Sequence, residues 1–144
     1  GLTYARNVLD MVRDELLDGG QAIDYGKGRN ARSALEDRFI QLEAEHDATR
    51  LMVLHSKWFE QRNGLTHRET MIRAASAKAV GGTAMRRITQ EAMELLGPAA
   101  LTEERLAEKW FRDARIFDIF EGAGEINRLI VARWLLGYSA KELN

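Results

Sequence analysis

Residues 66–98 read THRETMIRAASAKAVGGTAMRRITQEAMELLGP, and this stretch decides the fold class. Ile72, Ala75, Ala79, Gly82, Ile88, Ala92 and Leu95 recur at three- and four-residue intervals or their sums, the repeat of one helical face. Thr66-His-Arg-Glu69 has the form of a capping box at the start, and Gly97-Pro98 closes the run. The pattern predicts a helix of about 30 residues, roughly 45 Å at 1.5 Å per residue. Gly81-Gly82 in its middle costs about 1 kcal/mol per glycine relative to alanine. Close approach of a neighbouring element is the reading for that pair.

Outward from this helix the pattern stays helical. Ala5, Val8, Leu9, Val12 and Leu16 form an apolar stripe that predicts a first helix over Thr3–Asp18, stopped by Gly19-Gly20. A polar, glycine-containing stretch runs from Gly19 to Asn30, and Ser33-Ala-Leu-Glu36 is a second capping box that opens another helix. That helix closes at Asn63-Gly64, with an expected buried stripe of Leu35, Phe39, Leu42, Leu51, Leu54 and Trp58. After Pro98, the only proline, a shorter element is expected from Thr102 to Ile116, then a turn at Glu121-Gly-Ala-Gly124. A last helix carries Ile126, Leu129, Ile130, Ala132 and Trp134 and ends at Gly137, and Ser139-Ala-Lys-Glu142 resembles the cap of a further one. No sustained period-two alternation suggests a strand. The expected architecture is all-α, an antiparallel bundle of four main helices in one domain spanning 1–144.

Composition removes several function classes. A formal charge of −1, from 21 basic and 22 acidic residues, leaves no footprint for nucleic acid and no clear attraction to an anionic membrane surface. No apolar run approaches the ~20 residues of a membrane span. Cysteine is absent, which removes thiolate metal sites, disulfides and thiol catalysis, and fits a reducing cytoplasm, the expected compartment. The chain opens on Gly1 inside a helical pattern, so a piece of a longer polypeptide is expected.

Glu43-x-x-His46 on a helix invites a di-metal site, but such a site needs a second Glu-x-x-His and further glutamates from other helices. Neither His55 nor His67 has a glutamate three residues before it, so no metal is expected and His46 reads as a surface or boundary residue. Arg86-Arg87, Arg6, Arg13 and Arg50 read as solvated surface charge. No nucleophile elbow or dinucleotide-binding glycine motif is present. Read alone, Glu121 is a carboxylate at the N-terminus of the last helix, where it would favour the helix dipole.

Residues 109–137, KWFRDARIFDIFEGAGEINRLIVARWLLG, carry more specific information. Arg112 to Ile116, Phe120 to Gly122, Glu125-Ile126 and Arg128-Leu129 match in order and spacing a pattern of the acyl-CoA dehydrogenases: an Arg-Asp-Ala-Arg/Lys-Ile element, an aromatic-Glu-Gly-Thr-Ser-Glu/Gln-Ile-Gln turn, and an arginine-leucine helix. The chain resembles the C-terminal helical domain of that family over essentially its whole length. The resemblance implies FAD-dependent α,β-desaturation of an acyl-CoA thioester, with Glu121 as the base that removes the α-proton and its main-chain N–H on the thioester oxygen. Phe120 would exclude water, and Gly122 would let the chain turn so that the carboxylate faces a ligand. The resemblance also implies cofactor contacts at Glu94, Gly97, Gly122 and Glu125, with the adenylate end of the flavin reached by a neighbouring subunit. It further implies a tetrameric assembly and an electron-transfer flavoprotein or similar acceptor as electron partner.

The sequence departs from that pattern where the cofactor would lie. Glu94 replaces a glutamine, Pro98 a second glycine, Ala123 a threonine and Asn127 a glutamine, and the Arg-x-x-Phe-Gly element is unrecognisable between Arg29 and Phe39. A carboxylate repels a diphosphate, and alanine has no hydroxyl to donate. A non-catalytic subunit supporting a paired dehydrogenase is the alternative reading.

Overall fold

Helix α3, Arg68–Leu96, is the element on which the others pack. A computed structural model describes residues 1–139 and Glu142. Around α3 lie α1 (Leu2–Asp18), α2 (Ala34–Asn63), the short α4 (Ala107–Asp113) and α5 (Gly124–Leu136). Three 3-10 turns, Arg29–Ala31, Gly97–Leu101 and Ala114–Asp118, join them. No strand occurs among the described residues. The all-α expectation holds, with four main helices plus α4, and a connection of a few residues between α2 and α3 makes those two antiparallel neighbours.

The core follows from the stripes. Ala5, Val8, Leu9 and Val12 of α1 are fully buried against Phe39 and Leu42 of α2 and Ala84, Met85, Ile88 and Ala92 of α3. Alanines and Gly82 along α3 keep its surface low, so helices on several sides can come close.

The α2 stripe departs from expectation in its second half. Leu51, Leu54 and Trp58 are about half exposed or more. The buried face runs through Phe39, Leu42, His46, Thr49 and Ser56, which keeps the three- and four-residue interval but fills it with polar residues. His46 is therefore not a surface residue. It is 4% exposed, its Nε2 lies 3.2 Å from the carbonyl oxygen of Leu2 and its Nδ1 3.1 Å from Asp47. Thr49 satisfies its hydroxyl on the Glu45 carbonyl, one helical turn back. A hydrogen-bonded polar group can be buried where hydrophobicity alone predicts none.

The two capping boxes differ. Ser33 Oγ accepts from Glu36 N–H at 3.1 Å and the Glu36 carboxylate accepts from Ser33 N–H at 2.8 Å, so α2 opens as expected. The Thr66–Glu69 box does not form: α3 starts one residue later with His67 at its N-cap and no capping side chain, because Glu69 is taken by Arg73. The element expected from Thr102 to Ile116 is instead α4 followed by a 3-10 turn, with Leu106 in the left-handed region at φ 54 before it. At the C-terminus Ser139 N–H donates to the Glu142 carboxylate, one half of the expected cap. A helix beyond it lies outside the described residues.

Candidate active site at the turn before the last helix

The 3-10 turn Ala114–Asp118 delivers the chain to the turn that carries Glu121, and the surrounding contacts fasten this stretch at both ends. Asp118 is buried between α3 and α5, where glycine stands at both contact points: a Cβ on Gly82 would lie 2.3 Å from its Oδ1, and one on Gly124 2.4 Å. Arg86 donates to Asp118 Oδ2 at 3.1 Å, whereas Oδ1 is buried without a hydrogen-bond partner. One residue earlier, Lys78 Nζ donates to the Phe117 carbonyl at 2.5 Å and sits 4.8 Å from the centre of the Phe120 ring. On the far side, Asn127 Nδ2 donates to the Gly122 carbonyl at 2.8 Å and the Ala123 carbonyl at 3.0 Å.

Between these fastenings Glu121 has φ 55, in the left-handed region, and Gly122 has φ 102. For a residue with a Cβ that conformation costs roughly 1–2 kcal/mol. The contacts of Asp118, Lys78 and Asn127 on either side hold the chain in this path, and strain of this kind is concentrated at functional turns. The helix-capping reading of Glu121 does not hold: the N-cap of α5 is Ala123, with no side chain bonded to the helix end. Among the described residues the main-chain N–H of Glu121 has no hydrogen-bond partner.

The Glu121 side chain is exposed on this chain, so the dry surroundings expected of a base are not supplied by these residues alone. Its neighbours Ile119, Phe120 and Ile126 are 67%, 41% and 55% exposed. Apolar side chains of this size around a carboxylate make a surface suited to being covered rather than hydrated.

The four positions expected to contact a cofactor fall into two places. Gly122 and Glu125 adjoin Glu121, whereas Glu94 and Gly97 lie at the end of α3, about twelve residues and roughly 18 Å beyond Gly82 along the helix axis. One copy of the chain cannot bring all four to one part of a ligand. At the α3 end, Glu91 and Glu94 share the guanidinium of Arg38, the latter at 2.7 Å, and the helix presents its negative dipole end there. That place fits an uncharged hydrogen-bonding part of a flavin nucleotide, such as a ribose, and not a phosphate. The α5 end, with its uncapped N–H groups and Gly122, fits a polar or anionic group.

A family model described as "Acyl-CoA dehydrogenase, C-terminal domain" matches residues 20–136. The chain belongs to the acyl-CoA dehydrogenase family. Short-chain specific acyl-CoA dehydrogenase of Bos taurus is 31% identical over 122 residues, 80% of this chain and 29% of that protein. Cyclohexane-1-carbonyl-CoA dehydrogenase of Geobacter metallireducens is 28% identical over 154 residues, 97% of this chain and 40% of that protein. Butyryl-CoA dehydrogenase of Megasphaera elsdenii superposes with a TM-score of 0.66 at 24% identity, over 94% of this chain and 35% of that one. A chain in a structure reported for the electron transferring flavoprotein of Acidaminococcus fermentans superposes with a TM-score of 0.77 at 22% identity, over 94% of this chain and 34% of that one. At those identities the two superpositions show the fold alone. The chain thus spans about a third of the length of the acyl-CoA dehydrogenases it matches.

The cluster around Glu43 does structural work. Glu43 binds Arg6 and Arg13 of α1 at 3.0 and 2.5 Å and also takes the Tyr25 hydroxyl, tying the loop after α1 to α2. Burial works against its ionisation, but these three donors outweigh it and hold the carboxyl below its usual value. Among the described residues no group of three metal-ligating side chains occurs, and no helix is long and apolar enough to cross a membrane. Sequence reasoning passed over Asp118 and Lys78, and Asn127 stood out only as a departure from the family's glutamine. The signal for Asp118 was the pair of distant glycines, Gly82 and Gly124, that vacate space for it.

Proposed function

We propose that this chain is the C-terminal part of a flavin-dependent acyl-CoA dehydrogenase in which Glu121 removes the α-proton of an acyl-CoA thioester. The observation that carries this is the left-handed Glu121, held between the Asp118 and Asn127 fastenings, with an unused main-chain N–H and an apolar rim. The carboxylate accepts the α-proton while the Glu121 N–H donates to the thioester oxygen, stabilising the negative charge that develops there. Phe120, steadied by Lys78, shields the carboxylate from water once other segments of the protein cover the rim. When bound, FAD supplies the acceptor for the β-hydride. Gly122 and Glu125 would hold it on one copy, and Glu94 and Gly97 of a neighbouring copy would meet its uncharged end.

In this reading the remainder of the enzyme, an N-terminal helical part and a β domain, supplies the rest of the pocket, so residues 1–144 alone are inactive. The assembly is a homo- or hetero-oligomer that passes electrons to an electron-transfer flavoprotein or similar acceptor, and the cysteine-free chain suits the cytoplasm. One observation favours a second reading: Ala123, where the family pattern has a threonine, has no hydroxyl to offer a flavin, which suits a non-catalytic subunit of a paired dehydrogenase.

The test is Glu121→Gln in the full-length protein. A base of this kind contributes roughly 10²–10⁴-fold, so loss of turnover on that scale with flavin absorbance retained supports the first reading. Unchanged turnover sinks it. Full-length protein that purifies without flavin absorbance and regains activity only with a partner supports the second.

A further inference from the structure

We infer that the pocket between α3, α5 and the 3-10 turn Ala114–Asp118 is a site for a phosphate-bearing anion. It has a volume of about 360 Å³, and its lining includes Thr83, Arg86, Arg87, Gln90, Arg115 and Arg128. The inference stands on charge and geometry and does not rest on the dehydrogenase reading.

Four guanidinium groups face one cavity. Glu91, a carboxylate in the same lining, is already paired with Arg38, which lies outside it. Arg86 is fixed by buried Asp118 at 3.1 Å, and Arg87 is paired with Glu45 at 3.1 Å. Arg128 Nη2 donates to the Thr83 hydroxyl at 2.5 Å and its Nη1 lies 3.6 Å from the exposed Glu125. Arg115 stacks 4.4 Å over the Phe111 ring, and among the described residues no carboxylate lies within ion-pair distance of it. Arginine stays charged at any pH the protein meets; three of the four already face a carboxylate, and Arg115 leaves the pocket an excess positive charge for an anion to meet.

Phosphate is the matching chemistry. Guanidinium forks bond two phosphate oxygens at once, which a carboxylate-paired lysine cluster would not do as well. Gln90 adds an uncharged hydrogen-bonding group to the same wall, while the Thr83 hydroxyl, donating to the Ala79 carbonyl, orients Arg128. Arg87 and Arg128 are each about half exposed, and ion pairs at such exposure hold weakly enough to yield to a multiply charged guest.

The test is titration calorimetry of the protein with inorganic pyrophosphate and, separately, with ADP, against potassium chloride of matched ionic strength. Saturable pyrophosphate binding is expected, weakening as salt rises from about 50 to about 200 mM. The double substitution R87Q/R115Q, which leaves the Arg86–Asp118 bond in place, should weaken it by about tenfold or more, and R87K/R115K by less, because lysine keeps the charge and loses the fork. Arg50→Gln, on exposed α2 surface outside the pocket, should change nothing. Tighter binding of ADP than of pyrophosphate assigns a nucleotide as the source of the phosphates, and equal binding assigns the phosphates alone. No heat beyond that of potassium chloride, or pyrophosphate binding to R87Q/R115Q equal to wild type, overturns the inference.

Discussion

The side chain of Asp118 occupies the volume that a side chain at Gly82 would need. A Cβ on Gly82 would lie 2.3 Å from Asp118 Oδ1, 3.0 Å from its Cγ and 3.2 Å from its Cα, so rotating the carboxylate away does not relieve the clash. The adjacent Gly81 has only Thr49 Cγ2 nearby, at an ordinary 3.9 Å. Two neighbouring helical glycines therefore differ in kind. Gly82→Ala should lose roughly 1–3 kcal/mol through overpacking, despite alanine's better helix propensity. Gly81→Ala should be neutral or gain up to about 1 kcal/mol. Urea denaturation of both reads the difference, and equal effects would show that Asp118 does not wedge between α3 and the Glu121 turn.

The left-handed residues give a second contrast. Glu121 at φ 55 and Leu106 at φ 54 both carry a Cβ in a region that glycine occupies freely. Replacing either with glycine removes roughly 1–2 kcal/mol of backbone strain, offset by the greater freedom glycine has in the unfolded chain. Both variants should unfold at unchanged or slightly higher denaturant. In full-length protein Glu121→Gly should abolish turnover at the same time, separating the residue's chemical role from its structural one. A stability loss above about 1 kcal/mol in Glu121→Gly would mean that its side chain holds the fold.

Much of the fold was legible because α3 states it plainly: small and apolar residues at helical intervals, closed by Gly97-Pro98. The α1 stripe was legible for the same reason, and Ala5, Val8, Leu9, Val12 and Leu16 are all buried. Along α2 the pattern misled, because the face that packs holds His46, Thr49 and Ser56 while Leu51, Leu54 and Trp58 lie outside. Hydrophobic periodicity detects what a helix could bury and says nothing of which side meets a partner. At the candidate site the sequence singled out Glu121 and the turn around it. The fastenings by Asp118, Lys78 and Asn127 were not legible, since each joins segments that only the folded chain brings together. The arginine pocket was missed because its members are on separate elements and each one alone reads as surface charge.

The capping boxes supply a third prediction. Two sequences of the same form, Ser33–Glu36 and Thr66–Glu69, end differently: the first makes both reciprocal bonds and the second loses Glu69 to Arg73. Ser33→Ala should lose about 1 kcal/mol, whereas Thr66→Ala should stay within about 0.5 kcal/mol of the parent. Equal losses in chemical denaturation would place a cap at Thr66 after all.

The acid response follows from two carboxylates of α2. Glu36 is held down to about 2, mainly by the Ser33 N–H and secondarily by Lys27. Glu43 is held below its usual value because Tyr25, Arg13 and Arg6 outweigh the effect of its burial. A carboxyl whose folded value is depressed binds fewer protons than its unfolded counterpart, so folding gains stability above the unfolded value of 4.5. That gain drains away as pH falls from there towards about 2. Stability should therefore be flat above about pH 6 and decline steeply between about pH 5 and pH 3. Glu43→Gln should lose about 1–2 kcal/mol at pH 7, since Arg6 and Arg13 keep Asp10 but lose the charge of Glu43, and the amide has one acceptor oxygen where the carboxylate had two. The same variant should flatten the decline below pH 5, because the group that took up a proton is gone. Denaturation midpoints at pH 7, 5 and 3 for parent and variant decide the matter, and parallel curves would show that Glu43 is protonated alike in the folded and unfolded chain.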